Sequence, residues 1–531
     1  MVDHPHKLWR FHGGLHLEAH KDISTGEPVH IMRVPRHVVL PLRQHIGEAA
    51  EPQVSIGERV DKGQVIARGS GYISSPVHAS TSGTVVAIED RLAPHPSGLS
   101  VPSIVIETDG RDHWADCSRT AMPDYAGVEP AVIRSRVREA GIVGLGGAAF
   151  PTAVKLNPRP GQQIDTVILN GAECEPYITC DDMLMREQPA EILEGLRIIR
   201  HALQARRCLI GIEDNKPEAY QALCKALGDE EADGIRIVQV PTIYPAGGEK
   251  QLIKVLTGQE VPSQGLPSDI GIVCQNVGTA ASIYRAVVHG QPMVSRVVTV
   301  TGNGVRRPRN LEVLLGTPIR ELIADCGGYS QDPQRLIMGG PMMGFALHTD
   351  EVPAVKGTNC ILVADSDEVS EPRPAMPCIR CGACTEACPA NLLPQQLYWH
   401  ARSKDFDKAQ DYSLFDCIEC GCCAYVCPSN LPLVQYYRFA KTEIWKQERD
   451  RQKADLARQR YELRLERKER EEREKAERHA RKKSAVKQAP DSDKKQQIEA
   501  ARERARQRKA ARAPESEGGE EDDPEHKAGT G

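Results

Sequence analysis

The chain has 531 residues, which at roughly 150 residues per domain argues for three or four folded units. Hydrophobic residues make up 40% and charged residues 27%, ordinary globular values, but aromatics are only 4%, too few for the stacking surface of a single-stranded nucleic-acid binder. The net charge of −5 divides into an acidic body and a basic tail: residues 441–531 hold 27 Lys and Arg against 22 Asp and Glu, leaving 41 against 51 elsewhere. No apolar run approaches the roughly 18 to 20 residues that cross a bilayer, and the start, MVDHPHKLWRFHGG, has no apolar signal region. Neither a secreted nor a membrane-spanning chain is expected. Seventeen cysteines without an export signal then read as metal ligands rather than as a disulfide framework.

The first unit, over residues 1–125, contains VSIGERVDKGQVIA (54–67) and PVHASTSGTVVAI (76–88). Short alternating strands punctuated by Gly57, Gly63 and Gly83 predict a small barrel or sandwich of hairpins. The pattern resembles the biotinyl/lipoyl barrel-sandwich module. That family carries a modified Lys in the hairpin between its halves, whereas Arg68–Ser75 (RGSGYISS) contains none, so a structural role is expected.

Residues 126–290 form the second unit. A helix is predicted over Glu129–Ala140, followed by GIVGLGGAAFPTAVKL (141–156), then TVILNGAECEPYITCDD (166–182), YPAGGEKQLI (244–253) and CQNVGTA (274–280). Glycines that admit backbone amides to a phosphate, a lysine to neutralise it and polar side chains from three later loops suggest a mononucleotide pocket. The four segments, in this order, resemble the flavin- and NADH-binding subunit of respiratory complex I. That resemblance implies an FMN site in which Gly144, Gly146, Gly147 and Lys155 attend the phosphate and ribityl chain. It implies Asn170, Glu173, Tyr244, Gly247, Asn276 and Thr279 around the flavin, with Phe150 and Glu175 as catalytic residues facing NAD(H). Two positions depart from the pattern: the family's Asp is Ala172 here, and the first Glu of its Glu-Glu pair is Gly248.

Residues 291–365 read as a β-grasp unit, from the alternation in VVTVTG, an Arg- and Pro-rich loop, a short helix after Gly316-Thr317-Pro318, and LIMGGPMMGFAL. The unit resembles the ligand-binding β-grasp insert that follows the flavin domain in the same family, and a spacer role is expected for it.

In residues 366–440 two cysteine runs of the form C-x2-C-x2-C-x3-C-P occur, Cys378, Cys381, Cys384, Cys388 and then Cys417, Cys420, Cys423, Cys427. In two-cluster ferredoxins the fourth Cys of each run ligates the other cluster. The expected sets are therefore Cys378, Cys381, Cys384 and Cys427 for one [4Fe-4S] cluster, and Cys388, Cys417, Cys420 and Cys423 for the other. Zinc ribbons use separated Cys pairs rather than this spacing. Cys422 lies off the register, and the eight cysteines outside these runs read mostly as small buried hydrophobes, with Cys174 and Cys180 ambiguous in the flavin loop. Residues 389–416 are predicted to be helical.

From Lys441 to about Arg512 the sequence is dense in helix formers with interleaved charge and no apolar stripe, and PESEGGEEDDPEHKAGTG follows as a disordered acidic end. Taken together the fold class is multidomain α/β and α+β. The whole chain resembles the C-subunit family of the Rnf/Rsx ion-translocating electron transport complexes. The resemblance implies a peripheral subunit at the cytoplasmic face of the bacterial inner membrane, with integral and peripheral complex subunits as partners and electrons exchanged between NAD(H), FMN, two [4Fe-4S] clusters and, through the complex, ferredoxin. Two other classes fit the same modules: a soluble flavin/iron–sulfur reductase similar to corrinoid reductases, and a non-catalytic electron-transfer scaffold.

Overall fold

The computed structural model describes residues 6–69, 71–117, 120–228, 234–369, 373–488 and 491–510. Met1–Thr442 forms one compact unit and Glu443–Gly531 a second.

Within the first unit, barrel strands begin at His37. Strand β1 (His37–Pro41) and strand β3 (Gly83–Leu92) both pair antiparallel with β4 (Ser100–Thr108), and β2 (Val65–Gly69) lies between Ala50–Pro52 and Val77–His78 in a second sheet. Val38, Leu40, Ile66, Val85, Ile104 and Ile106 fill the space between the sheets. Gly83 is required by crowding, since a Cβ there would strike the Glu107 carbonyl.

The next layer begins with helix α1 (Pro130–Glu139), one residue shorter at each end than the pattern predicts. Strands β5 (Thr166–Gly171), β6 (Arg207–Glu213), β7 (Ile235–Val240) and β8 (Ile272–Asn276) form a wholly parallel sheet in the order β7-β6-β5-β8. Their apolar runs, such as Val167–Leu169, are buried on both faces, as a helix-covered parallel sheet requires. Helix α2 (Cys180–Glu187) follows β5, and α3 (Val277–Val288) follows β8 directly. The helix Pro189–Leu203 approaches α3 so closely that Gly195 has no room for a Cβ against the Ala280 backbone. The strand order reverses between β5 and β8, and a crevice at the carboxyl ends of such strands is where an open α/β sheet takes its ligand.

Strand β9 (Ser295–Thr301), β10 (Arg309–Leu314), α4 (Ile319–Asp325), β11 (Arg335–Met338) and β12 (Cys360–Ala364) make the β-grasp unit. Its mixed sheet takes in His30–Ile31 as an edge strand parallel to β10. After it come the two cysteine loops, separated by α5 (Pro394–Ser403) and the helix Phe406–Asp411, in agreement with the helical character of residues 389–416.

Residues 6–31 precede the barrel and run as a strap over the other units. His6 Nε2 meets the Leu256 carbonyl at 2.8 Å, His12 Nδ1 meets the Cys388 carbonyl at 2.9 Å, and Leu15 bridges Tyr244 through both backbone hydrogen bonds. Helix α6 (Leu433–Gln488) begins in the first unit; its later residues and α7 (Asp491–Ala510) belong to the second. From Lys446 the described side chains are exposed, the behaviour of a helix with no apolar stripe. The acidic end, residues 514–531, lies outside the described residues.

Candidate functional site: a flavin-type loop beside two cysteine-lined cavities

The loops at the β5/β8 switch are built from backbone outward. Asn276 ends β8 and caps α3, its Oδ1 accepting from the amides of Gly278 at 2.8 Å and Thr279 at 3.3 Å, while its Nδ2 donates to Asp181 Oδ2 at 2.6 Å. Thr279 Oγ1 accepts from the Leu145 amide at 3.0 Å, which ties the glycine loop to the start of α3. Gly144 donates to the Phe150 carbonyl at 2.8 Å, so the loop closes on itself and leaves Gly146, Gly147 and Ala148 exposed. Gly147 has φ of 104°, a conformation that only glycine adopts without strain. Asn276 already caps the start of α3, so the exposed glycines of the loop are what suit a phosphate group.

Asn170 steadies the loop after β5, donating to the Gly247 carbonyl at 2.8 Å and accepting from the Ala172 amide at 3.1 Å. Glu173, at positive φ, turns its carboxylate onto the first turn of α2, accepting from the amides of Asp181 at 2.7 Å and Asp182 at 3.2 Å. Burial raises its pKa, with Lys21 pulling the other way. Glu175 accepts from the amides of Met342 at 3.2 Å and Met343 at 2.7 Å in the β-grasp hairpin, and burial pushes its carboxyl up to about 7.

Two side chains named from the sequence have other engagements. Lys155 donates to Glu249 Oε1 at 2.5 Å and to the Cys274 carbonyl at 3.1 Å, so its charge is already matched within the domain. Tyr244 directs its hydroxyl away from the loop, to the Cys420 carbonyl at 2.6 Å. Three cations escaped the sequence reading. Lys21, from the strap, donates to the carbonyls of Glu173, Glu175 and Ile178 at 2.8, 3.0 and 2.6 Å; burial lowers its pKa. Lys216 donates to the Ala172 carbonyl at 2.7 Å and Glu213 Oε2 at 2.9 Å, both side chains fully buried. Arg296, from β9, donates to the Leu145 carbonyl at 3.1 Å. The signal for Arg296 was a charged residue inside an otherwise apolar strand; nothing local marks the other two.

Across Tyr244 the cysteines divide between two cavities. One is lined by Cys388, Cys417, Cys420 and Cys423, with Leu397, Val434 and Tyr437. The other is lined by Cys378, Cys381, Cys384 and Cys427, with Gln395, Trp399 and Leu433. Each therefore draws its fourth thiol from the opposite run. Equivalent positions 39 residues apart (378 to 417) repeat their backbone: Arg380 and Glu419 have φ of 58° each, Gly382 and Gly421 have 84° and 83°, and Asn391 and Asn430 have 53° and 48°. These turns aim amides at sulfur, with Arg380, Leu392 and Glu419 each donating to a cysteine Sγ at 3.4 Å. Four thiols around a hollow, with amide donors to sulfur, fit an iron–sulfur cluster. Cys422 is fully buried and lines neither cavity. Apart from these runs, Glu173, Cys180 and Asp181 offer ligand atoms within 4.8 Å of one another, and the hydrogen bonds from α2 already account for Glu173.

Known protein families match the chain unit by unit. Residues 9–111 match the RnfC barrel-sandwich hybrid domain, 137–285 the Nuo51 FMN-binding domain, 297–346 the SLBB domain and 377–431 the 4Fe-4S dicluster domain. Domains of the flavin-binding and iron–sulfur types are thus both present. The C-subunit of the ion-translocating oxidoreductase complex of Pseudomonas aeruginosa is 50% identical over 457 residues, 86% of this chain and 58% of its own length. That of Erwinia tasmaniensis is 50% identical over 505 residues, 95% and 61%, and that of Salmonella gallinarum 48% identical over 483 residues, 91% and 71%. The chain spans about three fifths of the length of most of these relatives, 58% in the first. Among solved structures, an NAD+-reducing [NiFe]-hydrogenase in the air-oxidized state aligns with a TM-score of 0.42 and 17% identity, over 58% of this chain and 62% of that one. Half identity across nearly the whole chain, with four domains in register, makes this protein a member of the C-subunit family of ion-translocating oxidoreductase complexes.

Proposed function

We propose that the chain is the peripheral redox subunit of a membrane complex, passing electrons between NAD(H), FMN and two [4Fe-4S] clusters while partner subunits move an ion. The observation that carries this reading is the pair of cysteine-lined cavities, each completed by the opposite run, one of which is tied to the flavin-type domain by the Tyr244–Cys420 hydrogen bond. When bound, a flavin converts between two-electron hydride chemistry and single electrons, and cubane clusters carry single electrons. The chain's own part is positional. The amides of Gly146 and Gly147 take the phosphate, Asn170, Asn276 and Thr279 fix the loops around the ring, and Phe150 and Glu175 stand on the nucleotide side. Cys378, Cys381, Cys384 and Cys427 hold one cluster; Cys388, Cys417, Cys420 and Cys423 hold the other.

No described helix is long and apolar enough to cross a membrane; the reading gives the ion path to integral partners and places the chain at the cytoplasmic face of the inner membrane. The test is anaerobic purification of the full chain with iron, sulfide and flavin assays, then EPR after NADH. About eight iron and eight sulfide per chain are expected from eight thiolates, with cluster signals on NADH addition. Stoichiometric zinc, or four irons, refutes the two-cluster assignment. Flavin without NADH-dependent reduction refutes the nucleotide assignment, and failure to copurify with integral membrane proteins favours a soluble reductase.

A further inference from the structure

The glycine loop is held from outside its own domain. Arg296 lies in β9 of the β-grasp unit, almost wholly buried, and its two terminal nitrogens diverge: Nη2 donates to the Leu145 carbonyl at 3.1 Å and Nη1 to the Lys356 carbonyl at 2.5 Å. Lys356, also buried, donates through Nζ to the Gly141 carbonyl at 2.7 Å, to the Pro76 carbonyl at 2.8 Å and to Ser75 Oγ at 3.1 Å. A third hold comes from the barrel, where the Ile46 amide donates to the Ala149 carbonyl at 3.3 Å. Carbonyls at 141, 145 and 149 are thus all claimed by neighbouring units, while the exposed part of the loop, Gly146–Ala148, lies between the last two.

The consequence follows from peptide geometry. In a planar trans peptide the carbonyl of one residue and the amide hydrogen of the next point in opposite directions. Drawing the Leu145 carbonyl inward onto a buried guanidinium therefore turns the Gly146 amide outward, to the exposed side of the loop. A loop of small, glycine-rich sequence has no side chains of its own to fix that orientation, and glycine carries a large entropic cost of ordering. The guanidinium supplies the fixing in two ways, by its fork of donors and by a permanent positive charge behind the loop.

We infer that Arg296, with Lys356 behind it, is a positioning residue that gives the flavin site its selectivity for a phosphorylated flavin. This deepens the flavin assignment above and rests on it. The β-grasp unit then acts as part of the phosphate site rather than as a spacer alone. Arg296 does not touch the ligand; it acts through the peptide between Leu145 and Gly146.

The experiment compares FMN with riboflavin, which lacks only the phosphate, by equilibrium titration into flavin-depleted full-length chain that retains its iron. Wild type is expected to prefer FMN. Arg296→Met should weaken FMN by roughly tenfold or more, the scale of one charge-assisted hydrogen bond, and leave riboflavin affinity and iron content unchanged, so that the FMN-to-riboflavin preference falls. Arg296→Lys, which keeps the charge but not the fork, should recover part of the preference. A merely structural role would lower both flavins together, and that result overturns the inference, as does an unchanged preference in Arg296→Met. Should Arg296→Met fail to fold, Arg296→Gln, which loses the charge and half of the fork, carries the test, with a smaller fall in preference expected and an unchanged preference overturning it. Wild type that binds neither flavin refutes the flavin assignment itself; wild type that binds both equally refutes only the selectivity.

Discussion

Lys216 and Glu213 offer a test of how the flavin loop is held. Both side chains are fully buried, and Lys216 Nζ spends its three hydrogens on Glu213 Oε2, Asn215 Oδ1 and the Ala172 carbonyl. Glu213 Oε1 already has no protein partner among the described residues. Lys216→Met therefore strands a buried carboxylate and frees the Ala172 carbonyl, and breaking a buried pair from one side costs about 3–5 kcal/mol. At about 2–4 °C per kcal/mol for a domain of this size, the flavin domain should melt about 6–20 °C lower. Replacing both partners, Glu213→Leu with Lys216→Met, removes the stranded charge and should recover most of the loss, because apolar substitution of a whole buried pair is often neutral or stabilising. Thermal melts read by flavin release, with amide exchange over residues 166–182, make the measurement. If Lys216→Met melts within about 1 kcal/mol of wild type, or if the double variant is no better than the single, the pair does not anchor the loop and the reasoning fails.

Cys388→Ser should reduce iron from about eight to about four per chain and remove the EPR signal of the cluster held by Cys417, Cys420 and Cys423; loss of the other signal would mean that ligation is not crossed. Burial sets the pH response of Glu175, whose folded carboxyl titrates near 7, above its unfolded value. The stability it contributes is fully present below about pH 4.3 and is lost as pH rises through about 7, so Glu175→Gln should flatten thermal stability across pH 5 to 8, and an unchanged slope would assign that loss elsewhere. The same variant should impair NADH oxidation without releasing flavin. Truncation after about residue 445 should leave iron and flavin in place, and if the basic helix docks on an anionic surface, membrane association should weaken with added salt and vanish with truncation.

Much of this molecule could be read from local pattern, and what could not shares one physical cause. Cysteine spacing reports on a single tight loop, so the two runs were legible, and the glycine loop and Asn276 carry their own turn and cap chemistry. The predicted helices fell within a residue or two of α1 and α4 for the same reason. Lys21, Lys216 and Arg296 act on carbonyls that lie 44 to 157 residues away, and a lysine or arginine in sequence gives no sign of which distant carbonyl it will meet. Lys155 was read as the cation that attends a phosphate, but its charge meets Glu249, 94 residues on. Residues 6–31 sit beside the barrel strands in sequence, but their hydrogen bonds reach Leu256, Cys388, Asn310 and Tyr244 in later units, contacts that no local pattern announces.

That strap also fixes an order of events during synthesis. Its partners at Leu256, Asn310 and Cys388 lie 250, 286 and 376 residues downstream of His6, Ser24 and His12. At roughly 5–20 residues per second, His12 leaves the ribosome about 20–75 s before Cys388 does. The strap is therefore made long before the residues it docks on, and such distant contacts fold slowly. Until it docks, the Ala387 and Cys388 carbonyls beside the first cysteine run go without the hydrogen bonds that the Gly14 amide and His12 supply, so that loop takes its final backbone only once both ends of the chain are made.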